Sequence, residues 1–322
     1  MKRRFSHGLT LVAAALVGLA GATQAAAVVV ATVPPGQDLA GIAVDGPYLA
    51  VAQDGSIVQP GSRVRLISLR GGRVLVNAYR ESSCDDPFVW DVAVAGPRIA
   101  WNTTAVCGSD EVDEQYISRL NGRVDPTPAD TPVGRIAGGD STLLIQVGDA
   151  IQIVNGSQRR TIAFSDVLTP IAVDRSRVLT WNIATGGVRL YSLRGMVLAD
   201  IPSASATFAA LDARSIVALR KDAGRIDWYT TSGRLRRSFR ISKANDGRVD
   251  VQGRYVIYTV AGRFVRALNL GTGVDRITQQ TPDRTHLVEA EIDGSNVIYA
   301  YRYGSKNGAR GGGVSAVPAP TF

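Results

Sequence analysis

The segment Ile42-Ala43-Val44-Asp45-Gly46 passes through a tight turn into Tyr48-Leu49-Ala50-Val51, and this unit returns along the rest of the chain. It recurs as Val92-Ala93-Val94-Ala95-Gly96 with Arg98-Ile99-Ala100-Trp101, and as Ile136-Ala137-Gly138-Gly139 with Leu143-Leu144-Ile145. Ile171-Ala172-Val173-Asp174 leads into Arg177-Val178-Leu179-Thr180-Trp181, and Ala210-Leu211-Asp212 into Ser215-Ile216-Val217-Ala218-Leu219. The last two copies are Val249-Asp250-Val251-Gln252-Gly253 with Tyr255-Val256-Ile257-Tyr258, and Glu291-Ile292-Asp293-Gly294 with Asn296-Val297-Ile298-Tyr299. Two apolar runs of strand length around a Gly- or Asp-containing turn make a β-hairpin. A recurrence every ~35–50 residues falls in the range of propeller blades.

Each unit continues with a second hairpin. Val64-Arg65-Leu66-Ile67-Ser68-Leu69 turns at Gly71-Gly72 into Val74-Leu75-Val76. Asn121-Gly122, Asn155-Gly156, Arg194-Gly195, Ser232-Gly233 and Gly271-Thr272-Gly273 mark the same turn in later units. Glycine and asparagine supply the positive φ of two-residue hairpin turns. The expected fold is therefore all-β: seven four-stranded antiparallel meanders arranged as a β-propeller. The seventh unit ends near Val314-Ser315-Ala316-Val317, one strand short, while Val28-Val29-Val30-Ala31-Thr32-Val33 has no partner before it. Residues 28–33 are expected to complete the last blade, which removes two exposed sheet edges at once. The pattern resembles seven-bladed propellers of the WD40-like, TolB-like and quinoprotein-like kinds over residues 28–322, read as one domain. The signature residues of those families are absent, so the resemblance implies architecture and no activity.

Residues 1–27 read as a signal peptide. Lys2, Arg3 and Arg4 precede an apolar run from Leu9 to Ala22, followed by small residues that place cleavage between about residues 22 and 27. The apolar run is shorter than the ~20 helical residues that a bilayer requires. The expectation is a secreted protein, extracellular or periplasmic, with no transmembrane segment and a monomeric state. Cleavage removes three of the basic residues behind the formal charge of +8. A basic exported protein favours anionic polymers over nucleic acid as partner. Two cysteines and two histidines, one of them within the leader, exclude zinc clusters, Cys/His nucleophile pairs and haem ligation.

Strand parity brings Cys84, after the last strand of the first unit, beside Cys107, after the second strand of the next. A disulfide between them suits the exported compartment. Asp85 and Asp86 follow the first cysteine, and Asp110, Glu111, Asp113 and Glu114 follow the second. Six carboxylates on two cross-linked loops are either a calcium site or a solvated acidic rim. No other cofactor is expected. The middle position of the innermost strand is Ala43, Ala93, Ala137, Ala172 and Ala210 in units one to five, but Asp250 and Glu291 in units six and seven. Those two carboxylates read as an acid/base pair, as a cation site, or as groups satisfied by channel water, Arg263 or Arg266. His286 reads as a surface-loop histidine, and Trp90, Trp101, Trp181 and Trp228 as blade packing. Arginines outnumber aspartates on the face formed by the first and third turns of each unit, with Arg234, Arg236 and Arg237 the densest group; that face is a candidate polyanion surface. The residues support a non-catalytic scaffold that binds a protein or an anionic envelope polymer. The alternative is a carboxylate-based hydrolase or lyase acting on an extracellular glycan or lactone.

Overall fold

The structure, a computed structural model, describes residues 27–56, 59–81, 85–118, 124–126, 133–163, 168–182, 184–201, 208–242, 248–304 and 311–319. The leader assigned to residues 1–27 lies almost entirely outside them, as does Cys84. Strands account for all the regular structure among the described residues. After β1 (Val28–Val33), blade 1 comprises β2 (Asp38–Asp45), β3 (Tyr48–Ser56), β4 (Gln59–Ser68) and β5 (Val74–Glu81). Blade 2 is β6 (Asp85–Ala95), β7 (Arg98–Cys107), β8 (Asp110–Ser118) and β9 (Val124–Pro126). Blade 3 is β10 (Val133–Gly139), β11 (Thr142–Val147), β12 (Ala150–Asn155) and β13 (Gln158–Ala163). Blade 4 is β14 (Thr169–Val173), β15 (Arg177–Asn182), β16 (Gly187–Ser192) and β17 (Val197–Ile201). Blade 5 is β18 (Phe208–Asp212), β19 (Ser215–Arg220), β20 (Arg225–Tyr229) and β21 (Leu235–Arg240). Blade 6 is β22 (Val249–Gln252), β23 (Tyr255–Val260), β24 (Phe264–Asn269) and β25 (Asp275–Gln280). Blade 7 is β26 (Thr285–Asp293), β27 (Asn296–Tyr303) and β28 (Gly312–Pro318), completed by β1 in the order β1-β28-β27-β26. Val28 faces Ala316 and Val33 faces Gly312 in that antiparallel pair.

The sequence repeat is continuous rather than alternating in its apolar strands because both sheet faces are buried. On β3, Leu49 and Val51 face blade 7 while Ala50 and Ala52 face blade 2, and all four are fully buried. One apolar cluster fills each of the seven blade-to-blade interfaces. The cluster between blades 7 and 1 joins Ala31 and Val33 of the closing strand to Ile42, Leu49 and Val314. The outermost strands see only one neighbour and read accordingly: β13 and β21 each bury a single side chain, Ile162 and Phe239.

Blades converge toward the axis, so at their closest approach the inner strands bring backbone against backbone. A Cβ on Gly138 would collide with the Val94 carbonyl oxygen of the neighbouring blade. A side chain there forces two backbones apart, and backbone cannot yield as a flexible side chain does. Gly138→Ala is expected to destabilise the protein by ~1–3 kcal/mol in denaturant unfolding. Unchanged stability would show that blades 2 and 3 are not held at that separation.

Candidate functional site

The first strand of each blade lines the axis, and its middle residues form a ring. Ala43, Ala93, Ala137, Ala172, Ala210, Asp250 and Glu291 pair with Ala50, Ala100, Leu144, Leu179, Val217, Ile257 and Ile298 on the second strands. All seven line one central cavity of about 260 Å³. Five alanines keep that space open, and the two carboxylates stand on adjacent blades.

Two residues earlier, on the inner strands or, for Arg248, just before one, lies a second ring: Gly41, Asp91, Arg135, Pro170, Phe208, Arg248 and Glu289 in blade order. This ring holds the principal ion-pair network. The Arg248 guanidinium sits 3.1 Å from Asp91 and 2.9 Å from Glu289, and Arg135 stands 3.9 Å from Asp91 while stacking over Trp90. Sequence reasoning missed Arg248, Glu289 and Asp91. The available signal was their offset of two from the middle position, which in a strand means the same face. Arg263 and Arg266, the cations expected beside Asp250 and Glu291, pair elsewhere: Arg263 with Asp283 and Arg266 with Asp275. Arg266 lies on the third strand of blade 6, away from the axis.

The carboxylates also join blades. Glu289 accepts the Ile42 N–H at 3.1 Å, Glu291 the Val44 N–H at 2.6 Å, Asp250 the Ile292 N–H at 2.8 Å, and Asp91 the Ile136 N–H at 2.9 Å. Each bond runs to the next blade, one position further along its inner strand. Burial raises the Asp250 carboxyl to about 6, against the lowering effect of its bonds from Ile292 and Val251. Burial, then the charges of Glu289 and Asp250, push Glu291 well above the carboxylate range. Burial also raises Glu289, opposed chiefly by Arg248, and the Glu289 charge in turn raises Arg248.

The other sequence-derived sites are redistributed by the structure. Asp85 and Asp86 belong to β6, and Asp110, Glu111, Asp113 and Glu114 to β8, so these acids are strand residues and not loop residues. Alternation along β8 sends Asp113 to Thr104 and Glu114 to Tyr116, which divides the acids between two faces. Among the described residues no three carboxylates converge as a cation site. His286 is the second residue of β26 and exposed, not a loop residue. Trp101 is fully buried between blades 1 and 2, as expected, whereas Trp181 borders the central cavity. Arg234 lies at the β20–β21 turn, but Arg236 and Arg237 are on the outermost strand, stacked over Trp228 and Phe239 at 4.8 Å each. They form part of the rim rather than of a flat face. Some of the turn-face arginines are neutralised locally: Arg177 by Asp174 at 2.9 Å and Arg175 by Asp140 at 3.6 Å.

No family model and no curated protein matches the chain. Solved structures do. Hsv2 of Kluyvelomyces marxianus is similar with a TM-score of 0.56 and 13% identity, over 84% of this chain and 91% of that one. A KlHsv2 variant with loop 6CD replaced by a Gly-Ser linker gives 0.56 and 11%, over 84% and 92%. The computationally designed Ika8 protein gives 0.54 and 12%, over 87% and 84%. At such identities the likeness shows the fold alone.

The raised Glu291 carboxyl carries a stability consequence. A carboxyl whose folded-state pKa is raised favours folding below its unfolded pKa of 4.5, and that contribution is lost as pH rises through the folded value. In Glu291→Gln the amide oxygen still accepts the Val44 N–H, but no charge forms beside Glu289 and Asp250. The stability of this variant relative to the parent is expected to climb, by ~1–3 kcal/mol, between pH 4.5 and 8. A difference that stays flat in denaturant melts across that range would refute the assignment.

Proposed function

We propose that the protein is an exported, non-catalytic β-propeller whose outer rim binds an anionic polymer of the cell envelope. One observation carries this reading. Arg159 and Arg160 on β13 and Arg234, Arg236, Arg237 and Arg240 on and beside β21 are exposed, and none makes an ion pair with a described residue. Arg194, also exposed, adds a charge at the turn of the blade between them. Unpaired guanidinium groups on rigid outer strands form a fixed cationic arc, which suits repeated sulfate, phosphate or carboxylate groups. The scaffold reading is favoured over a hydrolase or lyase because Asp250 and Glu291 are engaged as acceptors of neighbouring backbone N–H groups. Binding of the parent protein to a sulfated polysaccharide is expected to fall steeply from low to high salt. The triple change Arg234→Ser, Arg236→Ser and Arg237→Ser is expected to weaken it at least tenfold at low salt. Equal binding by parent and triple variant would defeat the rim reading.

Export also supports a bond between Cys84 and Cys107. Asp85, the residue after Cys84 in the chain, faces Val106 across β6 and β7, and Cys107 is the last residue of β7. Such a crosslink would stabilise by roughly 3 kcal/mol through the unfolded chain. Unreduced exported protein is expected to resist alkylation at both cysteines in peptide mapping, and two freely alkylated thiols would overturn the pairing.

A further inference from the structure

We propose that the central cavity is a binding site for a small organic cation, a primary amine on an apolar body, seated between the Asp250–Glu291 pair and the apolar wall of blades 4 and 5. This inference is independent of the rim.

The cavity has two chemically distinct sides. Blades 4 and 5 contribute Pro170, Ile171, Trp181 and Phe208, an apolar surface with two aromatic rings. Blades 6, 7 and 2 contribute Arg248, Asp250, Glu291 and Asp91. Charge on that second side does not balance. Arg248 is engaged by Asp91 and Glu289, and Arg135 reaches only Asp91. Asp250 and Glu291 form no ion pair with any described residue. Their hydrogen-bond donors are backbone N–H groups: Ile292 and Val251 for Asp250, and Val44 for Glu291. Those bonds fix the carboxylates without neutralising them. The space is reachable by solvent, since the Arg248 side chain keeps 39% exposure at the centre of the ring while Glu289 keeps 6%.

An ammonium group placed between Asp250 and Glu291 supplies the missing charge and up to three N–H donors. The apolar body then covers Ile171, Trp181 and Phe208, where an aromatic ring gains area burial and ring–ring contact. Without such a ligand the pair is relieved by a proton instead. The ligand and that proton therefore compete. The groups that set this competition are Glu289 on β26, Arg248 beside β22, Asp91 on β6, and Asp293 near Asp250.

The test uses the full chain and three probes of one shape: benzylamine, benzyl alcohol and benzoate, each at roughly 10 mM, followed by thermal melting. Benzylamine is expected to raise the melting temperature, more at pH 8 than at pH 5.5, while the alcohol and the acid leave it unchanged. Ala172→Leu narrows the cavity on the side away from the carboxylates and should abolish the benzylamine shift with far-ultraviolet circular dichroism preserved. Glu291→Gln should weaken amine binding at least tenfold by calorimetry, and the rim triple variant should bind the amine as the parent does. An equal shift from benzyl alcohol, a benzylamine shift that survives Ala172→Leu, or no shift with benzylamine at pH 8 would each overturn the proposal.

Discussion

Seven sheets converging on one axis leave the inner edge of every first strand without a partner, and its backbone N–H groups must find acceptors there or remain unpaired. The chain meets this constraint with carboxylates. Asp91, Asp250, Glu289 and Glu291 each accept from the following blade, and Asp45 and Asp212 do the same at the turns, accepting the N–H groups of Gly96 and Gly253. In all six the acceptor reaches one position further along the neighbouring strand. A ring held in this way has directional polar links in addition to its apolar interfaces. The links concentrate where blades 6, 7 and 1 meet, which is where the chain closes on itself through β1.

That placement has an electrostatic cost. Carboxylates gathered at the axis repel one another and lose hydration, and a single arginine, Arg248, is positioned to answer two of them. Interior ion pairs of this kind contribute little net stability, because desolvation offsets the attraction. Their effect here is on registry. A one-residue slip of β26 would turn Glu289 and Glu291 into the apolar blade interface and Ile292 out of it, burying charge and losing apolar packing.

The repeat made the blade count, the four-stranded meander and the closing strand legible, because two-residue turns and strand-length apolar runs are local signals. The ring of middle residues was legible for the same reason: Ala43 and its equivalents hold a fixed place relative to the turn. Arg248 and Glu289 were legible only through their offset of two from that middle position, which sets them on the same strand face but does not reveal the ion pair that other blades complete. Arg263 and Arg266 were attractive partners by proximity in sequence. The meander sends the later strands of blade 6 outward, so nearness along the chain becomes distance from the axis. The acids after Cys107 misled in the opposite direction. Their density suggested a loop, but blade 2 extends its strands through them, and pleating then separates side chains that are adjacent in sequence.

The same geometry accounts for the division of surfaces. Outer strands bury one face at most, so β13 carries two arginines and β21 three without disturbing a core. Charge on such an edge also blocks pairing with another sheet, and a guanidinium that stacks over Trp228 or Phe239 keeps its charge outward while its stem covers apolar surface. The axis has the reverse character: little space, excess negative charge, and an apolar wall opposite. The ring thus separates a cationic exterior from an anionic centre, and the two proposed sites take ligands of opposite charge. Both proposed sites are partly preorganised, since the carboxylates are held by backbone N–H groups and Arg236 and Arg237 by aromatic faces.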